Sequence, residues 1–396
     1  MTRLDVLAVL LDKEFMLENA PVLQTQIGEQ ILAQVRAGIR VGLLTTYVDI
    51  DRFESTIGRT LRDAGVHIAL IKHGRLTTNI VRMAVALRRL TKHVVVRRAY
   101  ARGIWGPIIV RVSGRSIPFV YDVRGALADE TRGSRSAGWK AAIFAALESW
   151  CVRKAERVTA VSRALADDVA RRRGRSDVTV IPSSIRVGPL AADTTAAAAI
   201  RGALGVPPDA VLCVYSGGLD YYQQIPQMLE LWQHLMSDQA IRFLLLTNDA
   251  PNTRHGDPFT RVRAIGDRLT HRSLARADVP AYLAASDVGF MLRESRFLNR
   301  AASPVKFAEY LAAGLAVAAS PGIGDISDLI TSHRIGALVN TADIREGLDN
   351  VRQLMELVRS DREGIRQRAH ALACTRYDWD AHAPVFRGMY LEPGAA

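Results

Sequence analysis

The segment richest in chemistry is Ser303-Pro304-Val305-Lys306-Phe307-Ala308-Glu309-Tyr310-Leu311-Ala312-Ala313-Gly314. Ser303 suits an N-cap and Pro304 the first helical turn, so a helix is predicted to begin here and to end at Gly314. Free N–H groups and the positive dipole end make such a start an anion site. Lys306 stands in the first turn, where a cation is otherwise unfavourable, and so fits an anion beside it. Glu309 lies three residues on, where a carboxylate can accept hydrogen bonds from a ribose diol while a diphosphate rests at the helix start. The plainer alternative is an amphipathic helix with an internal Lys–Glu pair, which periodicity supports as well. Arg293, Arg296 and Arg300 precede the helix, either as ligands reaching the same phosphates or as solvated loop charges.

Asp122 and Arg124 form a second candidate pair, at the end of a predicted strand. They read either as a buried structural ion pair or as functional residues at a strand end that faces a cleft. The 9 histidines show no metal-ligand spacing, and neither an HExxH nor an aspartate-rich motif occurs, so no metal is expected. Cys151, Cys213 and Cys374 are far apart and lack CxxC spacing, which excludes a readable disulfide framework and fits a reducing cytosol.

Lys+Arg 52 against Asp+Glu 40 leaves a net charge of +12, which points to an anionic partner. Between Asp63 and Asp122 there is no acidic residue, while Lys72, Arg75, Arg82, Arg88, Arg89, Lys92, Arg97, Arg98, Arg102, Arg111 and Arg115 all fall there. Apolar residues are interleaved with them. The expectation is of basic amphipathic helices on an anionic membrane surface, at about 1 kcal/mol per basic residue, with Trp105 at the interface. The alternative is that the apolar residues face a sheet and the arginines face water. Nucleic acid ranks below both, because no helix-turn-helix, RNP-type or zinc-finger signature accompanies the charge. No stretch offers about 18 consecutive apolar residues, so any membrane contact is expected to be peripheral.

Elements that would position these residues follow from apolar periodicity. At 396 residues and 48% hydrophobic content, two domains are expected. Strand-length apolar runs alternate with helical segments, the pattern of βαβ units in parallel sheets. In the first half the strands are Leu4 to Leu11, Val41 to Thr46, Val66 to Ile71, His93 to Val96, Ile117 to Tyr121, Arg157 to Val161 and Val178 to Ile181. The Leu4 run, broken by Asp5, is wrong for a signal peptide and reads as a buried strand. Small residues and prolines at 187–209 predict the linker between a domain of residues 1–186 and one of residues 210–375. The second series runs through Val211 to Tyr215, Ile241 to Thr247, Asp287 to Leu292, Leu315 to Ala319 and Ile335 to Val339. Residues 376–396 read as a terminal helix that closes the second domain or crosses back to the first. The fold class is α/β, two doubly wound domains with strand ends facing a common cleft.

The 303–314 segment resembles the Pro-x-Lys-x-x-Glu-Tyr-x-Ala-x-Gly donor helix of the nucleotide-sugar-dependent glycosyltransferases of family 4. The resemblance extends through Val279-Pro280-Ala281-Tyr282-Leu283-Ala284-Ala285-Ser286-Asp287-Val288-Gly289 and Tyr215-Ser216-Gly217-Gly218-Leu219. In the first half it includes Phe119-Val120-Tyr121-Asp122-Val123-Arg124-Gly125, Val161-Ser162 and Val180-Ile181-Pro182. It is strong from Val211 to Val339 and looser before Ile117. It implies a GT-B fold of two Rossmann-like domains, with a nucleoside diphosphate sugar donor on the second, the acceptor on the first, and retention at the anomeric carbon. Glu309 maps to the glutamate on the nucleotide ribose, and Ser303, Pro304 and Lys306 map to the helix start near the diphosphate. Gly217, Gly218, Arg272 and Arg296 would border the donor. Lys306 and Arg293, with Asp122 and Arg124 on the other domain, are the candidate catalytic groups.

Two family positions differ. An earlier glutamate is replaced by Ala301, and the family's basic diphosphate ligands by Gly218 and by Gln223 or Gln224. No cofactor is expected, and no metal. The implied role is a hexosyltransferase on the cytoplasmic face of the inner membrane, acting on a lipid-linked glycan or glycolipid in cell-surface polysaccharide synthesis. Alternatives are an inactive partner that keeps the nucleotide fold, and a GT-B sugar-nucleotide epimerase.

Overall fold

The computed structural model describes residues 2–11, 23–125, 138–188, 194–249, 266–294 and 296–392. The chain divides into two units, Met1–Arg186 with Asp378–Ala396, and Val187–Tyr377.

In the first unit the strands are β1 (Thr2–Leu10), β2 (Val41–Tyr47), β3 (His67–Lys72), β4 (Val94–Arg102), β5 (Phe119–Val123), β6 (Arg157–Ala160) and β7 (Val178–Val180). They form one sheet in the order β3-β2-β1-β4-β5-β6-β7, parallel throughout. Val6, Leu7, Val9, Leu43 and Leu44 are fully buried, as expected of strands covered by helices on both faces. The turn signals work as their chemistry dictates. Ser162 caps the helix Arg163–Arg173 by accepting from Leu165 N at 3.2 Å, and Gly174 ends it with φ +68°.

The chain returns to this unit at its end. Trp379 N donates to Ile185 O at 3.0 Å, and Trp379 Nε1 donates to Thr25 O at 2.8 Å. Phe386, Met389 and Tyr390, on the helix Ala383–Tyr390, join Trp379 in the core of β1 and β2.

The second unit holds β8 (Val211–Ser216), β9 (Ile241–Leu246), β10 (Leu269–Arg272), β11 (Val288–Met291), β12 (Ala316–Ala319) and β13 (Gly336–Leu338). Their order is β10-β9-β8-β11-β12-β13, again parallel. Trp232 anchors its core, stacked on Phe243 at 5.0 Å and edge-on to Phe290 at 5.5 Å. The stretch 194–203 is helical and tied into this unit, since Arg201 Nη1 donates to Asp287 Oδ2 at 3.1 Å.

Three local expectations change. β4 runs for nine residues, so Arg97, Arg98 and Arg102 sit on a central strand and not on an amphipathic helix. His271 and Arg272, read from the sequence as a loop before the Val279 helix, end a strand instead. The donor-type helix is Val305–Ala312 with Pro304, not Ser303, in the N-cap position. Proline's fixed φ of −67° and its ψ of 126° set the chain just outside the helix, and Phe307 N closes the first turn on Pro304 O at 3.1 Å. Gly314 ends that helix as expected, with φ +76° and Leu315 N bonded to Tyr310 O at 2.9 Å.

Candidate functional site

Parallel α/β sheets bind ligands beyond the C-terminal strand ends where the strand order reverses. In the second unit that reversal falls between β8 and β11, so the loops to inspect follow Ser216 and Met291. β8 runs directly into Gly217 and Gly218. Gly217 has φ +142°, and a Cβ there would lie 2.9 Å from Lys306 Nζ. Only glycine admits both the backbone angle and the approach of this ammonium.

Lys306 Nζ stands 4.2 Å over the Tyr215 ring and donates to Tyr215 OH and to Gln223 Oε1, each at 3.2 Å. Tyr215 OH in turn donates to Gly218 O at 2.5 Å. Arg293 follows β11. Its guanidinium lies 5.5 Å from the Tyr222 ring centre, its backbone N–H is held by Ser320 Oγ at 2.9 Å, and its Nε is buried without a partner. Neither cation forms an ion pair among the described residues. Burial, then the Arg293 charge, bring the Lys306 ammonium down to about 7, against the pull of Glu309 and Asp220. Burial likewise lowers Arg293. Two cations that repel each other in a partly dry site are arranged for an anion that the described residues do not supply.

The departures from the family pattern acquire a spatial reading. Gln223 stands where the family resemblance implies a basic residue, and Lys306 reaches its side-chain oxygen from the neighbouring helix. Lys306 and Arg293 thus bring positive charge to the region that Gly218 and Gln223 leave neutral. Asp220 and Asp249 flank Gly218, with carboxylate oxygens 3.4 and 3.5 Å from where a Cβ would stand. Ala301 is fully buried in the short turn of helix before the site.

Glu309 is 9% exposed and is held by Arg276, whose Nη2 donates to its Oε1. Its helix is fixed to the sheet by Tyr310, whose hydroxyl accepts from Ser216 N at 3.0 Å and donates to Phe290 O at 3.1 Å. Gly289 on β11 makes room, because a Cβ there would overlap the Tyr310 ring. Five predicted donor-side residues stand less centrally. Arg272 is exposed and its Nη1 turns back to His271 O at 3.0 Å. Arg296 is largely exposed and pairs with Glu294 at 2.6 Å. Ser303 and Pro304 lead into the helix, and the Arg300 guanidinium lies 5.8 Å from the Phe297 ring. Arg276, Tyr215 and Tyr222 also belong to the site, beyond the residues expected from the sequence. Tyr215 was legible from its place two residues before the double glycine turn, whereas nothing in the sequence links Arg276 to a carboxylate thirty-three positions on.

In the first unit Asp122 and Arg124 are brought together at the end of β5. Arg124 Nε donates to Asp122 Oδ2 at 2.5 Å, Tyr100 OH donates to the same oxygen, and Thr159 Oγ1 donates to Oδ1 at 2.7 Å. Burial pushes the Asp122 carboxyl up, but the Arg124 and Arg102 charges and these hydroxyls outweigh it and hold it below the usual range. Arg124 also faces the Trp379 ring at 5.9 Å, with Nη1 buried and unpaired. The first βα loop, Glu14 to Thr25, which the family resemblance would bring toward the acceptor, lies largely outside the described residues.

The basic region separates into two groups. Arg98 is 3% exposed, bridges Glu156 at 2.7 Å and donates to Tyr390 O at 3.2 Å, so it cannot meet a membrane. Arg97 donates to Leu391 O at 2.6 Å and Arg102 to Gln26 O at 3.2 Å. Trp105 is half-buried, edge-on to Phe144 at 6.3 Å. These four serve the packing of the first unit: the three arginines because β4 is central and its side chains point into helices, and Trp105 because the helix it opens, Trp105–Val112, turns it against Phe144. Arg82, Arg88, Arg89 and Lys92 remain exposed on or just after the helix Leu76–Leu90, beside exposed Leu76, Val81 and Val85. Among the described residues no helix is long and apolar enough to cross a membrane.

Two parallel, doubly wound sheets, each in its own unit, define a GT-B fold of two Rossmann-like domains. Sucrose-phosphate synthase from Thermosynechococcus elongatus superposes with a TM-score of 0.71 at 14% identity, over 99% of this chain and 98% of that one. HepE of Anabaena in complex with UDP-glucose gives 0.72 at 16% identity, over 97% and 98%. A glycosyltransferase from Rickettsia africae gives 0.70 at 13% identity, over 98% and 97%. Residues 23–183 match the family described as glycosyl transferase 4-like domain. That match lies within the first unit, in the half where the motif resemblance is looser. No curated protein matches the chain in sequence.

Proposed function

We propose that this protein is a retaining glycosyltransferase that moves a sugar from a nucleoside diphosphate donor to a hydroxyl of a lipid-linked glycan or glycolipid. The observation that carries the donor half is the pair Lys306 and Arg293, two cations at the strand reversal without an acidic ion-pair partner among the described residues, Lys306 lying on the helix that also carries Glu309. The UDP-glucose complex of HepE supports the donor class. In the reaction the bond from the anomeric carbon to the diphosphate oxygen breaks, and the acceptor oxygen bonds to that carbon on the same face. The acceptor proton leaves with the diphosphate. Lys306 and Arg293 would stabilise the charge that grows on the diphosphate, and Glu309 would hold the ribose. Asp122 and Arg124 would serve the acceptor side, on the unit with the glycosyl transferase 4-like match. Hexosyl transfer without metal, and a setting in cell-surface polysaccharide assembly on the cytoplasmic face of the inner membrane, complete the reading. The exposed basic helix face Arg82, Arg88, Arg89 and Lys92 supports the membrane part.

The test is thermal unfolding with UDP, GDP, ADP and CMP, for the wild type and Glu309→Ala. A ligand at about 100 times its Kd stabilises by about 2.7 kcal/mol. A shift for one nucleotide, lost in the variant, supports the reading, and no shift with any of them defeats it. Asp220 and Asp249 beside Gly218 favour a second reading, a partner that binds the nucleotide without turnover. Binding without transfer or hydrolysis across several acceptors would select it.

A further inference from the structure

Glu309 lies almost wholly inside the protein, and among the described residues its side chain has one hydrogen-bond partner, Arg276. Lys306, one turn earlier on the same helix, is close enough to feel the carboxylate, but its bonds go to Tyr215 and Gln223. Tyr310, next in sequence, is spent on Ser216 N and Phe290 O. The guanidinium takes Oε1 alone. A carboxylate offers about four lone-pair positions, so Oε2 and part of Oε1 stay open to other donors. Arg276 itself stands in a turn whose approach is clamped to the end of β9. Asn248 Oδ1 accepts from Ser273 Oγ at 2.7 Å and from Leu274 N at 3.1 Å, and Asn248 Nδ2 donates to Leu274 O at 3.2 Å. The Arg276 side chain is 41% exposed, so the ion pair closes the carboxylate on its solvent side.

We infer that Arg276 is a positioning residue for the nucleotide ribose: by holding Oε1 it fixes the Glu309 carboxylate in the rotamer that a ribose diol requires. This rests on the donor-site reading above. A neutral diol brings no positive charge, so a donor that displaced the guanidinium would leave a nearly buried carboxylate without its charged hydrogen-bond partner. A donor that adds to the pair uses the free oxygen and keeps the counter-charge in place.

The experiment compares UDP with 2′-deoxy-UDP, or the same pair for whichever base the wild type binds, by calorimetry on the full chain. Wild type, Arg276→Ala, Arg276→Lys, Glu309→Ala and the double variant are measured. We expect the wild type to prefer the ribonucleotide by about tenfold or more, the worth of a charge-assisted hydrogen bond. Arg276→Ala should lose most of that preference while its 2′-deoxy-UDP affinity changes little. Arg276→Lys should restore part of it, and the double variant should be no worse than Glu309→Ala alone. Retained ribose preference in Arg276→Ala, where Glu309→Ala has lost it, overturns the inference and leaves the donor site standing. Tighter ribonucleotide binding by Arg276→Ala also overturns it, because the arginine would then compete with the donor. If wild type and Glu309→Ala bind alike, or neither binds, the donor-site reading fails and this inference falls with it.

Discussion

At the residue scale Lys306 is the sharpest feature, because its stability and its use pull in opposite directions. Its ammonium titrates at about 7 in the folded chain, against about 10.4 for an ordinary lysine. Between those values the unfolded chain binds more protons, so this residue makes stability rise as pH climbs from about 7 to about 10. A bound diphosphate raises the value again, so binding above pH 7 must take up a proton. Nucleotide affinity should therefore fall as pH rises past about 7, and calorimetry at pH 8 in buffers of different ionisation enthalpy should record the uptake. Binding that is flat from pH 6 to 9 would refute the assignment. Lys306→Met should lower kcat/KM by about 10²–10³-fold. Its melting temperature at pH 6 should equal or exceed that of the wild type, since a poorly compensated charge is gone. The sequence made Lys306 and Glu309 visible through their place in one helix. It could not show Arg276, or that Lys306 points at Tyr215 and Gln223, because those contacts join distant segments.

At the scale of elements, the Val305–Ala312 helix works only because β11 and β8 hold it. Tyr310 bonds to both strand ends, and Gly289 leaves the space for its ring. Gly289→Ala should cost about 1–3 kcal/mol in urea unfolding, the range for overpacking, and should weaken nucleotide binding by shifting Lys306 and Glu309 together. Unaltered unfolding with normal binding would show that the strand and ring separate easily. The sequence placed the glycine in a family-like strand, but its reason, an aromatic ring from a helix twenty-one residues later, lies in the packing. β4 shows the opposite case. Its arginines read as part of a basic surface, yet a strand with neighbours on both sides turns its side chains into the layers above and below, and Arg98 ends between Glu156 and Tyr390.

At the scale of the whole molecule the closing segment is decisive for the first unit. Trp379 is fully buried and bonded to Thr25, with Phe386 stacked at 6.5 Å, so Trp379→Ala should cost about 3–5 kcal/mol, read as a loss of the unfolding transition assigned to that unit. A loss below about 1 kcal/mol would show that the segment decorates a core complete without it. Surface charge gives the other prediction. Reversal of Arg82, Arg88, Arg89 and Lys92 should release the protein from anionic liposomes in a sedimentation assay while nucleotide binding persists, and unchanged sedimentation would end the membrane proposal. By itself the sequence determined the two parallel α/β series, the helix with Lys306 and Glu309, its glycine end, and the basic stretch free of acids. Apolar periodicity and capping are local properties, written in neighbouring residues. Only the tertiary structure decided which arginines are buried, that the last residues complete the first unit, and that Arg276 holds Glu309. Each depends on segments far apart in the chain meeting at one point, which no spacing along the sequence records.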